Sequence, residues 1–466
     1  MEQHQMTKTI NEYLSEFAVD LKFEDIPADV LRHLKNVMLD CYGVGLFGSA
    51  TPWMDIYRGV LEGMSDRREA SIWGTGRKTS VINAMMLNGS AINSFELDDT
   101  HTDGIIHVST GVLGCITAFA EMLGAVSGRD YLVAATLAYE VSCRVAACVG
   151  MEIAHNGFNN TGSTCWAGST AAVGRMLELD AGQMMHAMGT AGNWAGGLQA
   201  VQFAAMAKRI VPSRSSEGAI LGAMLAKQGF TGIEDVFENK FGGFYNCFSD
   251  DVYDKERIVG GLGETWELMG IGLKFYSTCR SKHTTIGGLK RLMAEHPDIT
   301  ADNIERIRCG TTSITHKYSV PVESLTSVVS AQISHPYVCA VTILEGNAFV
   351  DQFTEEKVRN PKYLDLARKV EVYTDPEIEA LPRNLRYTVK IDVELKNGTV
   401  HSTTETYPKG HPMNPFTREE LEWKFKTLAG KVIPDESKLD AFIGAIDNLE
   451  DVDNMTVLTD ILRTGD

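Results

Sequence analysis

The chain has no CxxC pair among its nine cysteines, which stand at positions 41, 115, 143, 148, 165, 247, 279, 309 and 339. An odd, scattered set in a chain of 466 residues excludes a disulfide framework, a zinc ribbon and the usual cysteine-ligated iron–sulfur patterns. Most of these thiols lie in apolar helical context, where a buried reduced cysteine is the expectation. Positive charge is also scarce. Lys and Arg number 43 against 61 Asp and Glu, a formal net charge of -18. That balance argues against a nucleic-acid partner and against an anionic membrane surface, although a small anionic substrate answers only to the field of its pocket. Apolar runs stop short of the ~18 residues a membrane span needs. No basic, then apolar, then small-residue leader opens the chain, so a cytoplasmic protein is expected. GxxxxGK[ST], a strand-following GxGxxG, HExxH and GxSxG are all missing, which removes phosphate-loop, dinucleotide, zincin and hydrolase-elbow chemistry. The enzyme reading that survives uses side chains alone.

What the chain does have is a dense polar knot, Glu96-Leu97-Asp98-Asp99-Thr100-His101, followed by Thr102, Asp103 and His107. Apolar helix-forming segments flank it at 81–95 and 112–126. Carboxylates are costly to bury unless paired or hydrogen-bonded. Two readings fit: a solvated interhelix loop with capping Asp and Thr, or a site in which His107 exchanges a proton and the acids fix its tautomer and charge.

The first ~265 residues carry the 3.6-residue apolar period of helices joined by short loops. Expected helices run over 7–21, from Pro27 onward, and over 81–95, 112–126, 131–149, 165–177, 181–190 and 214–228. Residues 70–80 break the pattern as a small hairpin. Alanine, glycine and serine are frequent on these helices, as close helix–helix approach requires. From about Gly272 short strands appear at 304–309, 369–373, 387–395 and 399–407. Lys396-Asn397-Gly398 is a hairpin turn signal between the last two. Helices at 283–295 and 336–344 are interleaved with them, which makes an α+β domain. After Pro415 the chain is helical again. The expected class is mainly α. A large all-helical domain is built from residues 1–268 and the C-terminal tail 409–466, and a smaller α+β lid domain, 269–408, is inserted between them. A cleft between the domains is the default binding site.

Further polar clusters follow the acidic knot. Lys208-Arg209 and Arg214 sit near an expected helix start, where free N–H groups favour anions. Lys274 to His283 packs Lys274, Arg280, Lys282 and His283 into ten residues, a cationic cluster suited to an anion in so acidic a protein. His316-Lys317-Tyr318 offers another donor. Asn156 to Thr164 reads as a polar turn and N-cap. Together these suggest a pocket for a polycarboxylate.

With those residues on the page, the chain resembles the 2-methylcitrate dehydratase (MmgE/PrpD) family, which includes cis-aconitate decarboxylase and iminodisuccinate epimerase. The resemblance runs through Ser71-Ile72-Trp73-Gly74, Glu96–Thr100 with His107, Gly157–Thr164, Lys208-Arg209, Lys274…Cys279…His283, Ser330–Tyr337 and Asn448–Asp451. It implies the helical domain with an inserted lid, a homodimer, no metal or organic cofactor, and a site in the interdomain cleft. It places Glu96, Thr100, His107, Asn159, Lys208, Lys274, Cys279 and Tyr318 at or near that site. Three positions depart from the pattern. Asn159 stands where relatives usually carry histidine, Val108 where proline is common, and Cys279 where animal decarboxylases have histidine. Asparagine cannot shuttle a proton near neutral pH.

The chemistries of that family share one step, movement of a proton at a carbon next to a carboxylate, and cationic donors must stabilise the enolate-like charge it builds. The expectation gives His107 the acid–base role, with Asp98 or Asp99 orienting it. Lys208 and Lys274, with Arg280, hold the substrate carboxylates among Glu96, Asn159, Cys279 and His283. Tyr318 or Thr100 donates to a leaving hydroxyl. Dehydration of a hydroxylated di- or tricarboxylate comes first. Epimerisation of a dicarboxylate such as iminodisuccinate, decarboxylation of a cis-aconitate type, and a non-catalytic helical binding protein follow.

Overall fold

The computed structural model describes residues 8–202 and 205–464; Thr7, where the sequence starts its first helix, lies outside them. Contacts divide the chain into two compact units. One comprises the residues up to Ser94, Asp98–Ile271 and those from Arg418 onward; the other is Phe95–Leu97 with Gly272–Thr417.

The first unit is a helical bundle. Its main helices are α1 (Ala28–Ser49), α2 (Val81–Ile92), α3 (Val108–Leu123), α4 (Gly128–Ala147), α5 (Asn160–Met176) and α6 (Val211–Lys227). Several begin as their sequences dictate. Ser80 and Ser127 accept hydrogen bonds from the N–H groups of Asn83 and Asp130, and Pro212 occupies the first turn of α6, where its missing N–H costs nothing. Met85, Phe119, Val173 and Ile220 of α2, α3, α5 and α6 share one apolar cluster. Residues 70–71 and 78–79 pair antiparallel, the expected small hairpin.

Close helix approach is bought with glycine at Gly48 of α1, where a Cβ would collide with the Ala91 carbonyl of α2. Because that obstacle is backbone, neither helix can yield cheaply. Gly48→Ala is expected to lower stability by ~1–3 kcal/mol or more, the usual range for forced overpacking. The shift of the denaturant midpoint measures it.

In the second unit, β1 (Ile304–Thr311), β2 (Val370–Thr374), β3 (Val389–Leu395) and β4 (Val400–Glu405) form a sheet of order β2-β1-β3-β4. β1 and β2 run parallel; the other pairs are antiparallel. Strand β3 alternates buried and half-buried residues, the period-2 signature of one packed face. Helices α7 (His283–Glu295) and α8 (His335–Glu345) cover that face, with Leu289, Leu292, Cys339 and Ile343 packed among Ile307, Ile391 and Val393. Asn397-Gly398 makes the expected turn, with Gly398 at φ 86. The chain then re-enters the first unit through α9 (Arg418–Ala429). Its Phe425 stacks on Phe442 and lies so near Gly43 that a Cβ there would meet the ring at 2.8 Å.

Two expectations need correction. Most of the polar segment 156–164 is not a turn, because α5 already begins at Asn160 and Asn159 is its cap. Likewise α6 begins at Val211, which puts Arg214 inside the helix. In α5 the apolar periodicity starts later than the helix, since a first turn of Asn, Thr, Gly and Ser shows no stripe; in α6 the first turn, Val211 to Arg214, likewise carries a single large apolar residue.

Candidate active site

The acidic knot is buried, so the solvated-loop reading fails. Asp98 and Asp99 are 0% exposed, Glu96 3%, Thr100 5% and His101 2%. Each unit holds part of it.

In the first unit the knot is tied back by its own backbone and by α5. The N–H of His101 donates to the Ile106 carbonyl (2.9 Å) and that of Ile105 to the His101 carbonyl (2.9 Å). Asn160 Nδ2 donates to the carbonyls of Gly104 (3.1 Å) and Gly150 (2.6 Å). Ile105 is held at φ 56, a left-handed conformation that a β-branched residue rarely adopts and that persists only where surrounding contacts enforce it. The loop thereby presents His107 as the N-cap residue of α3. Its backbone N–H donates to Thr161 Oγ1 (3.0 Å), and its ring Nδ1 lies 2.8 Å from Asp98 Oδ2 and 3.2 Å from the Asp99 carbonyl. The Asp99 carbonyl can only accept, so Nδ1 carries the hydrogen and Nε2 is left to exchange a proton. The His107 side chain keeps 27% of its surface while Asp98 has none. A half-exposed imidazole backed by a dry carboxylate is the arrangement an acid–base residue requires.

Asp99 accepts from the Ser109 N–H through both carboxylate oxygens, at 3.0 and 3.2 Å. Burial, reinforced by the negative charge of Asp98, pushes its carboxyl up to about 7 despite those hydrogen bonds. The sign of the resulting stability change follows from where the proton is held. Between the ordinary value of 3.8 and about 7, the folded protein keeps a proton that the unfolded chain has released, so stability falls as pH rises through that window. Asp99→Asn, whose amide oxygen can still accept from Ser109, should flatten that fall. Denaturant midpoints across the window check it.

The second imidazole of the knot has other duties. His101 Nδ1 accepts from the Gly104 N–H (3.1 Å), and Nε2 faces the Glu267 carbonyl (3.1 Å) and carboxylate (3.4 Å). Burial would raise Glu267, but His101 and Arg257 outweigh it and hold its carboxyl down at about 2. His101, Glu267, Arg257 and Asp103 thus form an ionic clasp that fixes the far side of the loop. Thr100 Oγ1 is buried without a hydrogen-bond partner among the described residues, a hydroxyl available to a ligand. Asn159 spends its side-chain oxygen on the Gly162 N–H (3.0 Å). Lys208 is 6% exposed, on a short turn fixed by Asn93, which donates to the Lys208 carbonyl (3.1 Å) and accepts from Arg209 (2.9 Å).

In the second unit Glu96, at φ 58, faces Lys274 Nζ at 3.6 Å, with 4% and 0% of their side chains exposed. The turn presenting Glu96 is clamped at the Phe95 carbonyl, which accepts from Ser277 Oγ (2.8 Å) and Gln332 Nε2 (3.0 Å). Arg280 Nη1 donates to the carbonyls of Leu273 (2.8 Å) and Lys409 (3.1 Å). Its Nε and Nη2 have no partner among the described residues, and burial pulls its guanidinium down to about 10. Lys282 is fully buried beside Ser281 Oγ (3.1 Å). Cys279 is half-buried; burial would raise its thiol, but the Lys282 ammonium and the Ser281 hydroxyl bring it below the ordinary value. His283 Nε2 reaches the Thr278 carbonyl (3.2 Å), and Tyr318 is half-buried after a short helix, 313–317. His335 is held neutral by burial, with the Lys282 and His316 charges adding to the effect.

Sequence reasoning missed Gln332 and Ser277 as clamps, Asp40 and Lys424 beneath the knot, and the buried role of Lys282. Only Lys282 left a signal, its place in the cationic run. Among the described residues, His296, Asp298 and His401 are the set whose ligand atoms come within 4.8 Å of one another. The imidazoles stack at 3.9 Å with planes 24° apart, and Nε2 of His401 lies 3.3 Å from Asp298 Oδ2. No helix among the described residues is long and apolar enough to cross a membrane.

Comparison with known proteins adds a lineage. The family model for the MmgE/PrpD N-terminal domain matches residues 12–256, and that for the MmgE/PrpD C-terminal domain residues 276–449. Cis-aconitate decarboxylase of Aspergillus terreus (strain NIH 2624 / FGSC A1156) is 29% identical over 467 residues, covering 96% of this chain and 94% of its own. The Homo sapiens cis-aconitate decarboxylase is 28% identical over 476 residues, with 98% and 95% covered. The Mus musculus protein of the same name is 25% identical over 472 residues.

Proposed function

The chain belongs to the MmgE/PrpD family, and from that premise we propose a lyase that moves a proton at a carbon next to a carboxylate of a small tricarboxylate. The observation that carries this reading is the His107–Asp98 pair, an accessible imidazole 2.8 Å from a fully buried carboxylate. The opposite charge balance of the second unit supports it. There the buried cations Lys274, Arg280 and Lys282 accompany the carboxylate of Glu96. A substrate bearing several carboxylates carries charge opposite to those cations, and its enolate-like charge is what they would stabilise.

Dehydration of a hydroxylated acid is the first reading. His107 takes the proton from carbon through Nε2, and the Asp99 carboxyl or the unpartnered Thr100 hydroxyl attends the departing hydroxyl. In this reading Lys208 and Lys274 hold carboxylates, and Cys279, Asn159 and Tyr318 shape the pocket. Decarboxylation is the second reading, favoured by the names of the relatives that match nearly end to end. It needs the same imidazole to deliver a proton to the carbon skeleton after CO₂ leaves.

Incubation in D₂O with citrate, 2-methylcitrate, cis-aconitate and iminodisuccinate, followed by NMR, decides among them. A new alkene carrying all carboxyl groups establishes dehydration, and loss of a carboxyl carbon establishes decarboxylation. Exchange with inverted configuration and no elimination replaces both by epimerisation. Folded protein inert toward the whole panel counts against the lyase reading.

A homodimer is part of the same proposal. Ile56 and Val60, on one face of the helix Pro52–Glu62, are 63% and 58% exposed, and Met64 just past its end is 71% exposed. Such a stripe suits a subunit interface, and sedimentation velocity gives the answer directly.

A further inference from the structure

Beneath the His107–Asp98 pair lies a charge pattern that proton transfer at the imidazole does not itself require. Asp40, Asp98 and Asp99 are all fully buried. Asp40 of α1 lies 2.8 Å from Nζ of Lys424 on α9, with both side chains wholly inaccessible. The second oxygen of Asp40 has no hydrogen-bond partner among the described residues, so Lys424 is the neighbour that answers its charge. The carboxylates also sense one another: Asp98 acts on Asp40, and both Asp98 and Asp40 act on Asp99. The other titratable groups facing this cluster are Cys41 of α1, Tyr139 and Cys143 of α4 and Cys165 of α5. All four are pushed upward, by burial first and with the Asp99 charge adding to it, and so remain neutral. Lys424 therefore supplies the cluster's positive charge from below, and His107 faces it from above.

We infer that Lys424 is a positioning residue for His107. By compensating Asp40 it sets how much negative potential the buried carboxylates deliver to the imidazole through Asp98. The inference rests on the acid–base reading of His107, yet the charge coupling it describes exists whether or not a substrate has been found. Lys424 belongs to the returning C-terminal segment, and the approach of Phe425 to Gly43 fixes α9 against α1. The tail thus tunes an acid–base pair that lies more than three hundred residues earlier.

The test is a pair of opposite charge removals read on the imidazole itself. The His107 resonance is assigned by its disappearance in His107→Ala, and its titration is followed by NMR in Lys424→Met and Asp40→Asn. Removing the cation makes the cluster more negative, so the Lys424→Met midpoint should rise. Removing the anion makes the cluster less negative, so the Asp40→Asn midpoint should fall. Each shift should be about half a pH unit or more, and Asp40→Asn/Lys424→Met together should return close to wild type. If Lys424→Met does not fold, Asp40→Asn and the neutral double variant still carry the test. Midpoints that stay put, or that move in the same direction in both single variants, overturn the inference, because a merely structural role has no sign. On any substrate that is turned over, the pH profile should follow the same opposed shifts. Opposed midpoints in a protein with no turnover would sink the lyase reading and leave the coupling standing.

Discussion

His107→Ala should lower turnover ~10²–10⁴-fold, the usual contribution of a positioned general acid or base, while leaving the fold intact. The second half of that expectation is as specific as the first. The backbone N–H of His107, which anchors it to Thr161, survives the substitution. So does the carbonyl that accepts from Thr110 Oγ1 (2.6 Å). The ring is half-exposed, so its loss opens no closed cavity. The buried groups that lose the imidazole are the Asp98 carboxylate and the Asp99 carbonyl. Rates on whichever acid of the D₂O panel is converted, together with the thermal midpoint, measure both halves. Turnover within about threefold of wild type, in a protein of unchanged stability, would remove His107 from the chemistry, since that is far below what acid–base groups contribute. His101→Ala should do the reverse. It breaks the clasp to Glu267 and reaches activity only through a loosened loop, so its thermal midpoint falls before its rate does.

The sequence makes the fold class legible because its signals are local. The helical stripes, Pro212, the Asn397-Gly398 turn and the alternation along β3 all lie within one element's reach. The importance of 96–107 is legible too, since so many acids in an apolar context demand an explanation. What could not be read is the division of labour between the two imidazoles. His101 and His107 differ only in what faces them: Asp98 of the same stretch lies beside His107, whereas Glu267 and its partner Arg257 reach His101 from a separate part of the chain. Asp40 and Lys424 are still harder to see. Each is a single charged residue on an amphipathic helix, where the ordinary expectation is a solvated face. Their burial becomes visible only once α9 is packed on α1. The Gln332 clamp is hidden for the same reason, because its partner is a backbone carbonyl that leaves no mark in the sequence.

Lys274→Met should separate binding of the substrate carboxylate from support of the fold. Lys274 is wholly buried and its ammonium stands 3.6 Å from Glu96. Removing one member of a buried ion pair leaves the other charge uncompensated, which commonly costs ~3–5 kcal/mol. The single variant should therefore lose stability as well as activity, and by itself proves little. Glu96→Gln/Lys274→Met removes both charges with nearly the same volume, and replacing both members of such a pair is often neutral. Its denaturant midpoint should return most of the way to wild type. Activity should not return. A donor aimed at developing negative charge typically contributes ~10²–10³ in rate, and the glutamine–methionine pair offers no cation to replace it. Glu96→Gln alone supplies the control for loss of the carboxylate, and a rate loss beyond that control in the double variant shows that Lys274 acts on the substrate. If the double variant recovers rate along with stability, Lys274 is a structural partner of Glu96, and the carboxylate-holding role passes to Lys282 and Arg280. Stable protein with kcat/KM still depressed ~10²-fold would fix Lys274 as the anion-stabilising residue of the second unit, at the strength expected for such donors.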